Sequence, residues 1–145
     1  MNTPGTNKSP IIVGDADGLI ALLHTDDVNH AVAVQAAKHL VAQQADVLFP
    51  LTAVVEAATA LQRCLNNAAL AETVRQQVIN GELLIEEVEK DILTQASNLF
   101  QPFGSKQNTL FDAIVATIAR KYAAPGIFSF DEWYAKQGFT LIPQL

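Results

Sequence analysis

Apolar residues along this chain fall into short runs that alternate with longer segments of helical periodicity. Each short run is bounded by Pro, Gly or polar residues, which is typical of a buried strand. In the longer segments apolar residues lie on one helical face, as Ala31, Val34 and Val41 do within 30–44. The predicted strands are 11–13, 46–50, 82–86, 127–130 and 140–142. The predicted helices are 19–23, 30–44, 52–65, 67–80, 89–100, 109–122 and 132–137.

The alternation of strands and helices predicts the fold class, because parallel strands need helical crossovers that cover both faces of their sheet. We therefore expect an α/β protein: a three-layer α/β/α sandwich with a parallel sheet of about four to five strands. The length of 145 residues suits one domain, which we place at 11–145. The polar residues 1–10 are expected to form a disordered tail.

Composition narrows the class of protein further. Hydrophobic residues make up 50% of the chain and charged residues 17%, which is enough apolar material for one sizeable core. No apolar stretch approaches the roughly 20 residues of a transmembrane helix, and residues 1–10 lack the apolar segment of a signal peptide. The single cysteine, Cys64, lies in an alanine-rich helical segment and is expected to be buried. These features predict a cytoplasmic protein without a membrane anchor.

The net charge of −6 argues against a broad basic surface of the kind that most nucleic-acid-binding proteins carry. Several acids gathered around a bound cation would account for part of this excess. The position of the acids in the predicted fold therefore matters.

Four acids fall near the carboxyl ends of the predicted strands. Asp15 follows the first strand, and Asp131 ends the fourth. Glu56 lies early in the helix after the second strand, and Asp112 lies in the first turn of the helix that begins at Thr109. Because ligands of parallel sheets bind at this edge, where the strand order reverses, we expect the four carboxylates to converge there. Asp17 is expected to lie close to them in a secondary role.

Such a cluster of carboxylates predicts a cation, because the charges repel one another and are costly to desolvate. Oxygen ligands without His or Cys suit Mg²⁺ or Mn²⁺. An ion held in this way orients a water molecule and stabilises charge on a phosphate group in transfer. Each acid also has a structural interpretation, as a helix cap, a turn residue or an exposed helical side chain.

Four segments of the sequence resemble the PIN-domain family, especially the toxins of VapBC toxin–antitoxin modules. The segments are IIVGDADGLIALL, LTAVVEAATAL, NTLFDAIVATIARKYA and GIFSFDEWYAKQGFTLIP, and they carry Asp15, Glu56, Asp112 and Asp131 in that order. The match covers nearly all of residues 11–143. Asp17 stands where the family usually has Asn or Ser, and Gly18 replaces an apolar residue. Ser129 replaces a common Thr, with its hydroxyl available to a ligand or an acid.

The resemblance implies endonucleolytic cleavage of RNA with Mg²⁺ or Mn²⁺. By the same resemblance Asp15, Glu56, Asp112 and Asp131 bind the metal and activate water. Asp17 and Ser129, which depart from the family pattern, are candidate accessory residues. It also implies a homodimer and a small antitoxin that covers the acidic groove. We expect Leu61, Leu65 and Leu70 to offer an apolar surface for these partners.

Two other functions remain open from the sequence. One is a catalytically silent PIN-like module that binds RNA or a protein. The other is a haloacid-dehalogenase-type phosphatase, since Asp15-Ala-Asp17-Gly18 matches the start of its signature, in which the first Asp is the nucleophile. Leu19 replaces the Thr of that signature. The fold also needs a lysine and a later acidic pair near strand ends, whereas Lys121 lies inside a predicted helix and Asp131-Glu132 is a poor substitute for the pair.

Other residue types offer weaker candidates. His24, His30 and His39 lack the spacing of a zinc-binding helix. Trp133 and Tyr134 are candidates for stacking on a base, although core packing is the favoured interpretation for Trp133.

Overall fold

The computed structural model describes residues 8–145, so most of the predicted tail lies outside the described residues. Within them, the strands are β1 (Ile11–Gly14), β2 (Asp46–Pro50), β3 (Leu84–Glu86) and β4 (Ile127–Phe128). The helices are α1 (Ala16–Leu23), α2 (His30–Ala42), α3 (Leu51–Thr59), α4 (Ala68–Ile79), α5 (Lys90–Leu99), α6 (Leu110–Lys121) and α7 (Glu132–Lys136). A π-helical turn, Ala60–Cys64, extends α3. In this part of the chain, no helix has the length and apolar character needed to cross a membrane.

The four strands form one parallel sheet in the order β3-β2-β1-β4, which confirms the predicted fold class. Val13 pairs with Leu48 on one side and with Ile127 on the other, so β1 lies in the interior of the sheet. The predicted fifth strand, 140–142, is reduced to a parallel bridge between Gly126 and Thr140. Pro143 follows at once and has no N–H to continue the pairing.

Helices cover both faces of the sheet because side chains of successive strand residues point in opposite directions. Val13 and Ile127 pack in one cluster with α5 and α6. On the other face, Ile12 and Phe128 pack with α2, and Phe49 packs with α1, α3 and α4. The result is the predicted three-layer sandwich.

Helix α6 lies deepest, with residues 112–119 all buried. Ala113, Ala116 and Ala119 are almost wholly inaccessible, and their small side chains let the helix pack closely. Thr109 and Asp112 form a capping box at its start, which satisfies two backbone N–H groups and fixes where the helix begins. The first turn of α6 is thereby fixed in the fold.

Two predictions for the segment 52–65 are wrong. The Leu65 amide donates to the Ala60 carbonyl, five residues earlier, which shifts the phase of the side chains, and Cys64 is exposed rather than buried. Leu61, four residues after the buried Ala57, continues the buried face of α3 and is fully buried rather than part of a surface. Leu65 is exposed, as expected of an apolar surface.

Candidate active site

The candidate site lies at the carboxyl edge of β1 and β4, where the strand order reverses. From β1 the chain builds β2 and β3 on one side of the sheet and returns to place β4 on the other. Asp15 follows β1 directly and caps α1, and Asp131 follows β4 and caps α7. The crevice at such a reversal is the usual ligand position in open parallel sheets.

Asp15 is buried, with 4% of its surface exposed. Its Oδ1 accepts from the Ala16 amide at 2.7 Å, and its Oδ2 accepts from the Tyr134 hydroxyl at 2.6 Å. Burial, followed by the charge of Asp17, raises the pKa of Asp15 to about 8. Without a nearby cation Asp15 therefore holds a proton at neutral pH.

Asp112 caps the start of α6, which was its structural interpretation, and its carboxylate also faces Asp15. One carboxylate oxygen, Oδ2, accepts from the Thr109 amide at 2.8 Å as part of the capping box. The other, Oδ1, accepts from the Tyr134 hydroxyl at 3.3 Å. Burial, together with the charges of Asp131 and Asp17, raises the pKa of Asp112. A single hydroxyl group thus separates the carboxylates of Asp15 and Asp112.

The sequence predicts Tyr134 only as a candidate for stacking on a base, not as a partner of the acids. Its ring is fully buried in the core beside α6, so it is unavailable to stack on a base. Burial, followed by the charges of Asp15 and Asp112, raises the pKa of the phenol, which stays a neutral donor. The available signal in the sequence was its position three residues after Asp131, where one helical turn brings a side chain back towards the strand ends.

Glu56 projects from α3 and is half-buried. Burial, followed by the charges of Asp112 and Asp17, raises its pKa to about 7. Within residues 8–145 its carboxylate accepts no hydrogen bond, so both oxygens are free for a ligand. The negative charge of Asp112, on the neighbouring helix α6, therefore acts on the carboxylate of Glu56.

Asp17 accepts three hydrogen bonds, two of them from the segment that follows β4. Its Oδ2 accepts from the Ser129 hydroxyl at 3.0 Å and from the Phe130 amide at 2.8 Å, and its Oδ1 accepts from the Gly18 amide at 2.8 Å. Its charge raises the pKa of Asp15, Glu56 and Asp112. Asp17 therefore adds to the negative charge of the site while its carboxylate is fixed by the backbone.

Ser129 and Gly18 explain two of the departures noted in the sequence. Ser129 is fully buried; its hydroxyl donates to Asp17 and accepts from the Asp131 amide at 3.1 Å, so it links two acids and does not face solvent. A Cβ on Gly18 would lie 2.2 Å from the Phe128 carbonyl oxygen. Only glycine lets α1 approach β4 this closely.

Asp131 is half-buried and caps α7 through its Oδ1, which accepts from the Trp133 amide at 2.9 Å. Its Oδ2 accepts from the Asn108 side-chain amide at 3.2 Å. Asn108 lies in the predicted loop before α6 and was not singled out. Its contact with Asp131 crosses 23 positions of sequence, which no local pattern reveals.

The acids of the site have no cationic partner in the part of the chain that the structure describes. The ion pairs there join Arg75 to Glu72 and Lys121 to Glu86, away from the site. The side chains of the four acids could bind a metal only through oxygen atoms, which fits a hard divalent cation such as Mg²⁺ or Mn²⁺. No three His, Cys, Asp or Glu side chains among residues 8–145 are arranged as a ready ligand set.

The alternatives to these acids find little support in the geometry. Lys121, the lysine candidate for a phosphatase, pairs with Glu86 at 2.9 Å. His30 Nδ1 lies 2.7 Å from the Ala21 carbonyl oxygen, and His39 Nε2 lies 3.0 Å from the Gln43 amide. His30 and His39 therefore serve local structure.

Comparison with known proteins agrees with this architecture. The crystal structure of VapC20 from Mycobacterium tuberculosis, described as a sarcin–ricin loop cleaving toxin, superposes with a TM-score of 0.74. It is 22% identical and the alignment covers 89% of this chain and 96% of that one, so the likeness establishes the fold. No curated protein sequence matches. A family model, described as PIN domain, matches residues 12–139. Because this match spans most of the chain, the chain belongs to the PIN domain family.

Proposed function

We propose that this PIN domain is a metal-dependent endoribonuclease whose site is formed by Asp15, Glu56, Asp112 and Asp131. The observation that carries the proposal is the pair of carboxylates, Asp15 and Asp112, that share one hydroxyl group and have no cationic side chain paired to them among residues 8–145. Ionising both carboxylates there is costly unless a positive ligand binds among them. The divalent cation that accompanies a phosphodiester supplies this charge.

Asp15 and Asp112 would hold Mg²⁺ or Mn²⁺, with Glu56 and Asp131 nearby. When bound, the ion offsets the acid charge, lowers the pKa of water and stabilises negative charge on phosphate. Tyr134 positions the first two carboxylates, because its hydroxyl donates to Asp15 at 2.6 Å while the same oxygen lies 3.3 Å from Asp112. Asp17 raises the local negative charge, and Ser129 holds it in place.

We assign Glu56 the role of proton acceptor for the attacking water. Its carboxylate accepts no hydrogen bond within residues 8–145, so both oxygens are available to take up a proton, and burial raises its pKa in the metal-free protein. The other acids of the site each accept at least one backbone or side-chain hydrogen bond. Their orientation is fixed, whereas that of Glu56 is free.

The likeness to a solved toxin supports a role as the toxin of a toxin–antitoxin pair, acting on RNA in the cytoplasm. We propose a homodimer and a small antitoxin as partners. The surface between α3 and α4 supports this, because Val55, Val78 and Ile79 are exposed around a cavity of about 500 Å³. Apolar side chains grouped in this way mark a contact surface.

The test of the nuclease proposal is an assay of the purified chain on a pool of single-stranded RNA. Cleavage is expected with Mg²⁺ or Mn²⁺ and is expected to stop in EDTA. Binding of RNA without cleavage under any divalent ion would instead favour the catalytically silent module.

A further inference from the structure

A second cavity, of about 290 Å³, adjoins the acids on the side of α7. It lies between α7 and the loop that joins α5 to α6, and its lining includes Phe100, Ser105, Asn108, Trp133 and Lys136. Asn108 connects the cavity to the acids, because its side-chain amide donates to Asp131 at 3.2 Å. The next residue, Thr109, also lines the cavity, and its backbone amide donates to Asp112. A ligand in this cavity would therefore lie beside the proposed cleavage site.

The lining combines an aromatic ring with free polar groups. Trp133 is half-buried, and its ring packs edge-on against Tyr134, with centroids 5.3 Å apart and planes at 67°. Ser105 Oγ accepts from the Gln107 amide, which leaves its own hydroxyl hydrogen to donate. Lys136 is exposed and forms no ion pair within residues 8–145. The amide oxygen of Asn108 likewise accepts no hydrogen bond from the described residues.

We propose that this cavity is a nucleobase subsite, which receives one base of a single-stranded RNA next to the phosphate at the acids. The inference rests on the proposed nuclease function. The indole of Trp133 supplies a stacking surface, which binds any base through its π face. Ser105 and Asn108 supply a donor and an acceptor for the base edge, and Lys136 supplies a positive charge for a neighbouring phosphate.

The size of the cavity limits which class of RNA it can bind. A volume of about 290 Å³ is at the lower end of the roughly 300–1,000 Å³ of small-molecule sites, which suits one base and excludes a base pair. Bases in an RNA duplex are stacked and paired, so a protein reaches their faces only in single strands, loops or bulges. The subsite would thus select unpaired RNA.

Trp133 is the only tryptophan of the chain, so its emission reports directly on the cavity. The experiment titrates the full chain, with EDTA present to prevent cleavage, against a short single-stranded oligoribonucleotide. A matched oligonucleotide carries abasic positions, and a nucleoside monophosphate forms the third arm. We expect a saturable change in emission with the first probe and about ten-fold weaker binding of the abasic one. Equal binding of both oligonucleotides, or tighter binding of the monophosphate than of the oligonucleotide, would overturn the subsite.

Variants of the exposed residues Ser105 and Lys136 test the subsite without disturbing the packing of Trp133 against the core. Ser105→Ala and Lys136→Gln should each weaken oligonucleotide binding several-fold, whereas Lys38→Gln on α2 is the matched control and should leave it unchanged. Trp133→Leu, followed by anisotropy of a labelled oligonucleotide, should weaken binding about ten-fold. Cleavage together with unchanged oligonucleotide binding in Trp133→Leu and Ser105→Ala would overturn the subsite and leave the nuclease. Base-dependent binding without cleavage would overturn the nuclease and leave the binding site.

Discussion

The Tyr134 hydroxyl donates to Asp15 Oδ2 at 2.6 Å and joins the end of β1 to the start of α7. The same oxygen lies 3.3 Å from Asp112 Oδ1 in the first turn of α6. Three elements thus meet at one phenol, which is fully buried. Because the hydroxyl is neutral, it holds two carboxylates in place without balancing their charge.

Tyr134→Phe is expected to destabilise the metal-free protein at about pH 8, by about 1–3 kcal/mol, because a buried carboxylate loses its donor. At about pH 5 the loss should be smaller, since Asp15 then carries its own proton. Urea unfolding at both pH values measures the effect. Tyr122→Phe, which removes the hydroxyl bonded to Glu86, is the matched control. Equal stability of Tyr134→Phe and the unmodified chain at both pH values would contradict the assigned contact.

The pH dependence of stability should be opposite with and without metal. The folded pKa values of Asp15, about 8, and Glu56, about 7, lie above their ordinary values of 3.8 and 4.5. The folded state therefore binds more protons, and the stability from these groups is complete below about pH 4 and is lost as pH rises to about 8. Mg²⁺ should reverse the trend, because it binds the ionised acids.

Thermal unfolding at about pH 5 and pH 8, in EDTA and in Mg²⁺, measures this dependence. Glu86, whose pKa is lowered by its bonds to Tyr122 and Lys121 despite partial burial, titrates below this window. A double variant, Asp15→Asn with Glu56→Gln, should lose most of the slope in EDTA. A metal-free protein that grows more stable from pH 5 to pH 8 would show that the acids are not buried together.

The strand ends and the acids could be predicted from sequence because both depend on local pattern. Apolar runs bounded by Pro or Gly mark β1 and β2, and Asp15 follows β1 in any parallel sheet. The exposure of Cys64 could not be predicted, since the π-helical turn at the end of α3 leaves no periodic signal. The roles of Tyr134 and Asn108 depend on side chains from distant parts of the chain, so a single sequence does not reveal them.

Gly18→Ala is expected to cost about 2–3 kcal/mol of stability, because the new methyl group meets the Phe128 carbonyl. Since Gly18 lies between Asp17 and the rest of α1, nuclease activity should fall as well. Chemical unfolding together with RNA cleavage checks both effects. Gly81→Ala is the control: φ is +67° there and no atom lies near the added methyl, so a loss of only about 1 kcal/mol is expected, without loss of activity. Equal costs for the two variants would argue against the close approach of α1 to β4.

Ile79→Glu is expected to weaken binding of the proposed partners, because it places a charge on the exposed apolar surface of α3 and α4. Light scattering measures the dimer, and inhibition of RNA cleavage by the product of the adjacent gene measures antitoxin binding. Glu132→Gln, an exposed acid on α7, is the control for a change of charge elsewhere. A monomer at high concentration that no neighbouring gene product inhibits would remove the toxin–antitoxin proposal and leave the nuclease proposal intact.

The measurement that tests the central claim most directly is the rate of RNA cleavage by Asp15→Asn in saturating Mn²⁺ or Mg²⁺. The amide keeps an acceptor for the Ala16 amide but removes the charge, so the rate should fall by orders of magnitude. The variant should fold, and at about pH 8 in EDTA it should be more stable, because the repulsion from Asp17 is relieved. Asp46→Asn, at the opposite edge of the sheet, should cleave at the normal rate. Cleavage by Asp15→Asn at the rate of the unmodified chain would contradict the account.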